Sequence, residues 1–286
     1  MRQAALLYNP LSGRQRKRRL AVIEEVAGIL RAAGIEIISE PTRGAAESGQ
    51  QAKQAVAGGC DTVLACGGDG TVHDILQGIV GTQAALGVIP LGTANSLAHD
   101  LHIPMNPVAA AKATLRGKPR GFAVGRLEYQ DFGSQRASRY FTVAVGVGID
   151  AHLFYKLNAA IKQQFGMGSY YAKAIRLWCT HKMEFFDVEL PDSRMAAVSE
   201  LLAVRIGDFG GLLRELAPGA ALANDQMRLV LFRTGNRFRY LQYILRGLLR
   251  QEWSVPGIEL HDAARVVCKP RNARIFVEAD GELVGT

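Results

Sequence analysis

The sequence predicts a parallel α/β fold for residues 1–120, followed by a mainly antiparallel β fold with helical insertions for residues 121–286. Three observations carry this. Short apolar runs alternate with helix-period patterns through the first part, and strands alternating with helices make a parallel sheet with helices on both faces. Past Leu115-Arg116-Gly117-Lys118-Pro119-Arg120-Gly121, strand-like runs dominate, as in an antiparallel sandwich or flattened barrel. Glycine- or proline-bearing turns follow the early strands, so they lie along one sheet edge, where open α/β sheets bind ligands.

Residues 4–8 read as a buried strand that ends at Asn9-Pro10-Leu11-Ser12-Gly13, a run of turn formers. A basic stretch, 14–19, leads into a helix through Leu20, Ile23, Val26, Ala27 and Leu30. Its charges fit a solvated helix face or a phosphate contact. A strand over 35–39 enters Glu40-Pro41-Thr42-Arg43-Gly44, and 45–57 suits a helix. A third strand begins at Thr62, and another at 85–89 ends in Pro90-Leu91-Gly92-Thr93-Ala94-Asn95. A short helix near 97–101 stops at Ile103-Pro104. Strand-like runs then cover 123–129, 140–147, 185–190, 201–206, 229–233, 266–269 and 275–278. The spans 151–181 and 237–253 read as helical insertions rich in basic and aromatic residues.

The organising stretch is Thr62-Val63-Leu64-Ala65-Cys66-Gly67-Gly68-Asp69-Gly70-Thr71, an apolar strand that breaks at glycines and opens the helix 72–79. Unpaired N–H groups and the positive dipole end make such a helix start an anion site, and glycines let backbone approach a phosphate. Asp69 alone would repel that phosphate, so it points to Mg²⁺ handling or catalysis. A plain β-to-α turn with Asp69 as a cap is the other reading of this stretch.

Composition sets bounds. A chain of 286 residues with 48% hydrophobic and 21% charged residues supports two folded domains. No apolar run is long enough to span a bilayer, and the apolar start is too short for a secretory signal. Cys60, Cys66, Cys179 and Cys268 lack disulfide-framework or zinc spacing, so a cytoplasmic location is expected. A net charge of +8 favours anionic partners: nucleotide, nucleic acid or anionic membrane. The basic aromatic helices fit a membrane surface, or an apolar stripe buried in their own domain. His99 and His102 have no third ligand in view and read as surface or core histidines. Neither a Gly-x-x-x-x-Gly-Lys-Ser/Thr loop nor a protein-kinase catalytic loop occurs, and no Gly-x-Gly-x-x-Gly fingerprint follows the first strand.

Five motifs in order complete the picture: Asn9-Pro10-Leu11-Ser12-Gly13, Gly67-Gly68-Asp69-Gly70-Thr71, Pro90-Leu91-Gly92-Thr93-Ala94-Asn95, Gly146-Val147-Gly148-Ile149-Asp150 and Asp280-Gly281-Glu282. Together they resemble the soluble diacylglycerol kinase catalytic family of bacterial lipid kinases, which includes sphingosine and ceramide kinases. The resemblance covers essentially the whole chain. It implies a phosphofructokinase- or NAD-kinase-like nucleotide-binding domain over 1–120 and a β-sandwich lipid-substrate domain over 121–286. ATP would lie in the cleft between them, to which 280–286 would return. Asn9, Thr42, Gly67, Gly68, Gly70, Thr71 and Thr93 would fall on the nucleotide segments, with Gly281 supporting. Asp69 would help hold catalytic Mg²⁺, through water, and Glu282 would take the proton from the lipid hydroxyl. Asp150 would face the lipid. On the residues alone, Gly146-Val147-Gly148 is equally a kinked strand and Asp280-Gly281 a hairpin turn.

Two departures stand out. The family's acidic Asp-Asp-Gly segment and following acid, which supply a second, structural Mg²⁺ site, correspond here to Ala217-Pro218-Gly219-Ala220-Ala221-Leu222-Ala223-Asn224-Asp225-Gln226-Met227-Arg228. Only Asp225 remains acidic, and Arg228 occupies a usual acid's place. The sequence also stops at Thr286, which leaves little chain to anchor Glu282. The expected function is an ATP- and Mg²⁺-dependent lipid kinase acting on diacylglycerol to give phosphatidate, peripheral at the inner face of the membrane. The rivals are an NAD-kinase-like enzyme, a catalytically impaired lipid- or nucleotide-binding regulator and, resting on charge, a nucleic-acid binder. Nucleic acid is not the expected partner, and the oligomeric state stays open, with a homodimer among the options.

Overall fold

The computed structural model describes residues 1–10, 16–148, 183–211, 215–272 and 274–286. Ser12, Gly13, Asp150 and the expected helical insertion at 151–181 therefore lie outside the described residues. Two compact units are present: Met1–Val124 with Arg139–Thr142 and Asp208–Gly211, and Gly125–Ser138 with Val143–Gly207 and Leu212–Thr286.

The first unit is a parallel sheet of order β2-β1-β3-β4, formed by β1 (Gln3–Tyr8), β2 (Glu36–Pro41), β3 (Thr62–Gly67) and β4 (Ala85–Pro90). Alternation along the strands splits their apolar residues between two faces. Ala4, Leu6, Leu64, Cys66 and Ile89 pack with Ile23, Val26, Ala27 and Leu30 of α1 (Arg16–Ala32) and with Ala110 and Ala111 of α5 (Pro107–Arg116). The opposite face meets α2 (Ala45–Ala57) and α3 (Asp69–Ile79). Those two helices cross at glycines: a Cβ on Gly78 would collide with the Gly49 carbonyl, and one on Gly49 would sit 2.9 Å from the Asp74 carbonyl oxygen. A short α4 (Ser96–Asp100) follows β4.

The expected strands and helices of this unit are all present. Helix α5 goes beyond that expectation. Its signal was local, because Asn106 caps it by accepting from the Ala109 N–H at 3.0 Å and Pro107 opens its first turn.

The second unit is mainly antiparallel. One sheet has the order β12-β11-β10-β7-β14-β15, from β7 (Ala144–Gly148), β10 (Glu200–Val204), β11 (Met227–Phe232), β12 (Ile258–Ala263), β14 (Val277–Ala279) and β15 (Glu282–Gly285). A second has the order β13-β8-β9, from β8 (Phe186–Glu189), β9 (Met195–Val198) and β13 (Val267–Lys269). Strands β5 (Gly125–Gln130) and β6 (Arg136–Phe141) form a two-stranded sheet. The register aligns Val145, Val147, Leu201, Ala203, Leu229, Leu231 and Ala279 on one buried face. Helix α6 (Arg237–Leu249) packs its Tyr240 onto Phe232, with ring centroids 4.4 Å apart.

Two expectations change here. The run at 140–147 divides into β6 and β7, because the N–H groups of Val143 and Ala144 turn to the Asp280 carboxylate. Glu282 is anchored after all: it opens β15, which pairs with β14, and Thr286 exchanges two backbone hydrogen bonds with Gln130. Strands β9, β12 and β15 escaped the sequence reading, β9 and β15 being only four residues long and β12 an edge strand with mostly half-buried residues.

Candidate functional site

The buried strand β3 runs straight into Gly67 and Gly68, and α3 starts at Asp69 with no side-chain cap on its first N–H groups. A helix start of that kind leaves donors for an anion. Gly67 is required by the close approach of Thr71, whose side chain fills the space that a Cβ would occupy. Across from it, a Cβ on Gly92 would strike the Gly68 Cα, so the turns after β3 and β4 touch through glycine backbone. Burial pushes the Cys66 thiol, one residue earlier, well above its usual range, which makes it an inert part of the core.

Polar side chains lock these turns together. Asn95, in the left-handed region at φ 53°, accepts from the Gly92 N–H and donates to the Gly92 carbonyl, each at 3.0 Å. One Asp69 carboxylate oxygen accepts from the Ser96 N–H at 2.6 Å. Asn9 donates its side-chain amide to the Thr71 hydroxyl at 3.3 Å, and its backbone N–H bonds the Cys66 carbonyl. Thr42 follows β2 and donates its N–H to the Tyr8 carbonyl at 2.8 Å. Thr93 sits exposed at the tip of the β4 turn.

Asn9, Thr42, Gly67, Gly68, Asp69, Gly70, Thr71 and Thr93 thus fall along the carboxyl edge of one sheet. Sequence reading quoted Asn95 only as part of a motif and missed Ser96. A backbone N–H twenty-seven residues from its acceptor leaves no mark on side-chain pattern.

In the second unit, β14 and β15 are joined by Asp280 (φ 49°) and Gly281 (φ 82°), a two-residue turn with both central residues at positive φ. Asp280 is buried, and one carboxylate oxygen accepts from Val143 N at 2.9 Å and Ala144 N at 3.1 Å. Its own N–H donates to the Ala144 carbonyl. This triple link ties the hairpin end to the start of β7 and sets where half-buried Glu282 begins. Gly146 lies beside the buried Glu278, whose side chain comes within 3.0 Å of where a Cβ would stand, and Gly148 ends β7 at φ 118°.

A divalent cation fits one place better than the other. No group of three or more His, Cys, Asp or Glu gathers among the described residues. Mg²⁺ keeps several waters and is held by one or two carboxylates plus substrate phosphates, so a single Asp69 at a glycine-rich helix start would fit that mode. The segment around Asp225 does not fit a structural ion. Asp225 is exposed, and three carbonyls of this segment accept from guanidinium groups. Buried Arg205 donates to Gln226 O at 2.9 Å and Leu222 O at 3.2 Å. Arg228 donates to Pro218 O and to Asp262, both at 2.8 Å. Burial pulls the Arg205 guanidinium down from its usual value, and the Asp225 charge opposes that.

The expected result is a fold held here by arginine. Arg205→Met lowers unfolding free energy by about 3 kcal/mol in a urea titration, because two carbonyls lose their donors. Adding Mg²⁺ or EDTA without nucleotide leaves the wild-type midpoint unchanged, and a rise with Mg²⁺ alone would contradict this assignment.

Comparison with known proteins agrees with this fold. Residues 3–127 match the diacylglycerol kinase catalytic domain. Over 289 aligned residues the chain is 27% identical to the diacylglycerol kinase of Bacillus subtilis (strain 168), covering 100% of this chain and 91% of the relative. A protein of Chromohalobacter salexigens named "Probable lipid kinase YegS-like" is 28% identical, covering 80% and 72%. The crystal structure of a diacylglycerol kinase from Bacillus anthracis str. Sterne superposes with a TM-score of 0.68 at 18% identity, covering 99% of this chain and 90% of that one, and shows the shared fold. With glycine-built turns along its parallel sheet and this match over residues 3–127, the chain is similar to the diacylglycerol kinase catalytic-domain family of lipid kinases.

Proposed function

We propose that this protein transfers the γ-phosphoryl group of ATP to the free hydroxyl of diacylglycerol, giving phosphatidate and ADP. The observation that carries this is the turn cluster of the first unit, in which glycine backbone surrounds a single carboxylate at the start of α3. Phosphoryl transfer is mainly positioning and charge neutralisation, with a carboxylate orienting the nucleophile. In this reading the N–H groups at the start of α3 and the Gly67-Gly68 turn cradle phosphate oxygens, with Asn9 and Thr71 bracing the turn. Thr42 and Thr93 border the nucleotide segments. Asp69 would hold Mg²⁺ through water, and the ion would supply charge neutralisation at the transferred group. Glu282 takes the proton from the lipid hydroxyl, from a position fixed by Asp280 and Gly281. Asp150 would face the lipid.

The names of the curated relatives support diacylglycerol as the first substrate to test, and the YegS-like relative keeps other lipid hydroxyls in the panel. Incubation with radiolabelled Mg-ATP and mixed micelles carrying diacylglycerol, monoacylglycerol, sphingoid base or ceramide yields labelled phosphatidate as the main product, resolved by mass. A different labelled lipid would correct the substrate. No labelled lipid at all, with NAD converted to NADP in a parallel assay, would replace the proposal with the NAD-kinase reading.

A further inference from the structure

Helix α6 is built inside out. An ordinary amphipathic helix buries its aliphatic stripe and wets its polar face. Here the inward positions are Tyr240, Tyr243 and Arg246, each buried. Tyr240 stacks on Phe232, and its hydroxyl lies 2.7 Å from the Ser199 hydroxyl. Tyr243 meets Phe232 edge-on at 5.4 Å, donates to the Leu216 carbonyl at 2.6 Å and carries the Arg246 guanidinium 4.5 Å above its ring. Burial pushes the Tyr243 hydroxyl up to about 12, so it stays protonated as a donor. Asn236 caps the helix by accepting from the Phe238 N–H. Ring contacts and hydroxyl hydrogen bonds thus hold the inward face of the helix in one orientation.

Everything aliphatic points the other way. Phe238 is 74% exposed and Leu249 53%, with Leu241, Ile244, Leu245 and Leu248 also exposed and Trp253 just beyond. Seven of the fourteen large apolar side chains exposed among the described residues belong to this one segment. Such concentration marks an interaction surface rather than ordinary surface scatter. Its charge selects the partner. Half-buried Arg237 and Arg239 and exposed Arg250 border the outward face, and no acid occurs from Arg237 to Gln251. A second copy bringing the same face would set arginine against arginine with no carboxylate to pair. An anionic lipid surface offers apolar depth for the leucines and phosphate for the arginines. At 13 residues the helix is too short to cross a bilayer, and no described helix is long and apolar enough to do so.

We infer that α6 docks the protein on an anionic lipid bilayer, with Phe238, Leu241, Ile244, Leu245 and Leu248 inserted at the headgroup level. This deepens the lipid-kinase reading and rests on it for its purpose, but docking is measurable without nucleotide. The experiment sediments the full chain with vesicles of equal phosphatidylglycerol and phosphatidylcholine, and with phosphatidylcholine alone. Wild type binds the anionic vesicles and shows at least tenfold weaker binding to neutral ones. The double variant Leu241→Glu, Leu245→Glu loses anionic-vesicle binding about a hundredfold, as expected for two leucines removed from lipid. Its thermal midpoint stays unchanged because both sites are exposed, and its activity on a dispersed short-chain diacylglycerol stays at the wild-type level.

Undiminished vesicle binding by the variant overturns the inference. So does a wild-type dimer that the variant dissolves while neither protein binds vesicles, which would make the face a self-interface. Vesicle binding lost in the variant, from a wild type that phosphorylates no lipid, would keep the docking surface and reject the proposed reaction.

Discussion

Asp69→Asn is expected to lower kcat for lipid phosphorylation by about a thousandfold, the scale at which removing charge stabilisation from a transferred group is felt. The replacement is nearly isosteric. Its side-chain oxygen can still accept from the Ser96 N–H, which Asp69 engages at 2.6 Å. The contact between the turns is therefore kept, and only the negative charge is lost. Asp69 is also the first residue of α3, where a carboxylate favours the helix dipole by about 0.3–1 kcal/mol, so folding changes little. A variant that keeps its thermal midpoint and loses turnover separates the metal-holding role from a capping role. If Asp69 only braced the turn, Asp69→Asn would remain near-fully active.

Glu282→Gln is expected to produce a loss of similar size, about a thousandfold in kcat, as general-base contributions commonly reach 10²–10⁴. The argument begins one residue away. Asp280 fixes the hairpin end through Val143 and Ala144, and Gly281 at φ 82° completes the turn, so the first residue of β15 has a defined place. Glutamine preserves the β15 pairing with β14, since the register involves backbone alone. It cannot accept a proton from a lipid hydroxyl. The KM for lipid should change by less than about threefold, because a proton acceptor acts mainly in the transition state. Steady-state kinetics on diacylglycerol micelles reads both numbers, and retained kcat would leave Glu282 as a hairpin residue.

The parallel unit was legible because its signals are local. The continuous apolar runs at 4–8 and 62–66, the helix period at Ile23, Val26, Ala27 and Leu30, and glycines at 67, 68 and 92 each speak within a few positions. The second unit was harder to read. Its strands pair across long separations, as when β7 lies between β10 and β14, and short strands such as β9 carry too few residues to show a period.

By itself the sequence determined the order of elements in the first unit, the glycine turns at its sheet edge and the presence of Asp69 among them. Backbone permissiveness, apolar runs and helical period are properties of each short stretch. Only the tertiary structure decided that Ser96 N–H meets Asp69, that Asp280 braces the start of β7, that Arg205 and Arg228 hold the 217–228 segment, and which side of α6 faces outward. A helical period announces an apolar stripe but not its direction. Direction depends on which face finds a partner, and for α6 the tyrosines found theirs on Phe232, Ser199 and Leu216, which left the leucines facing out.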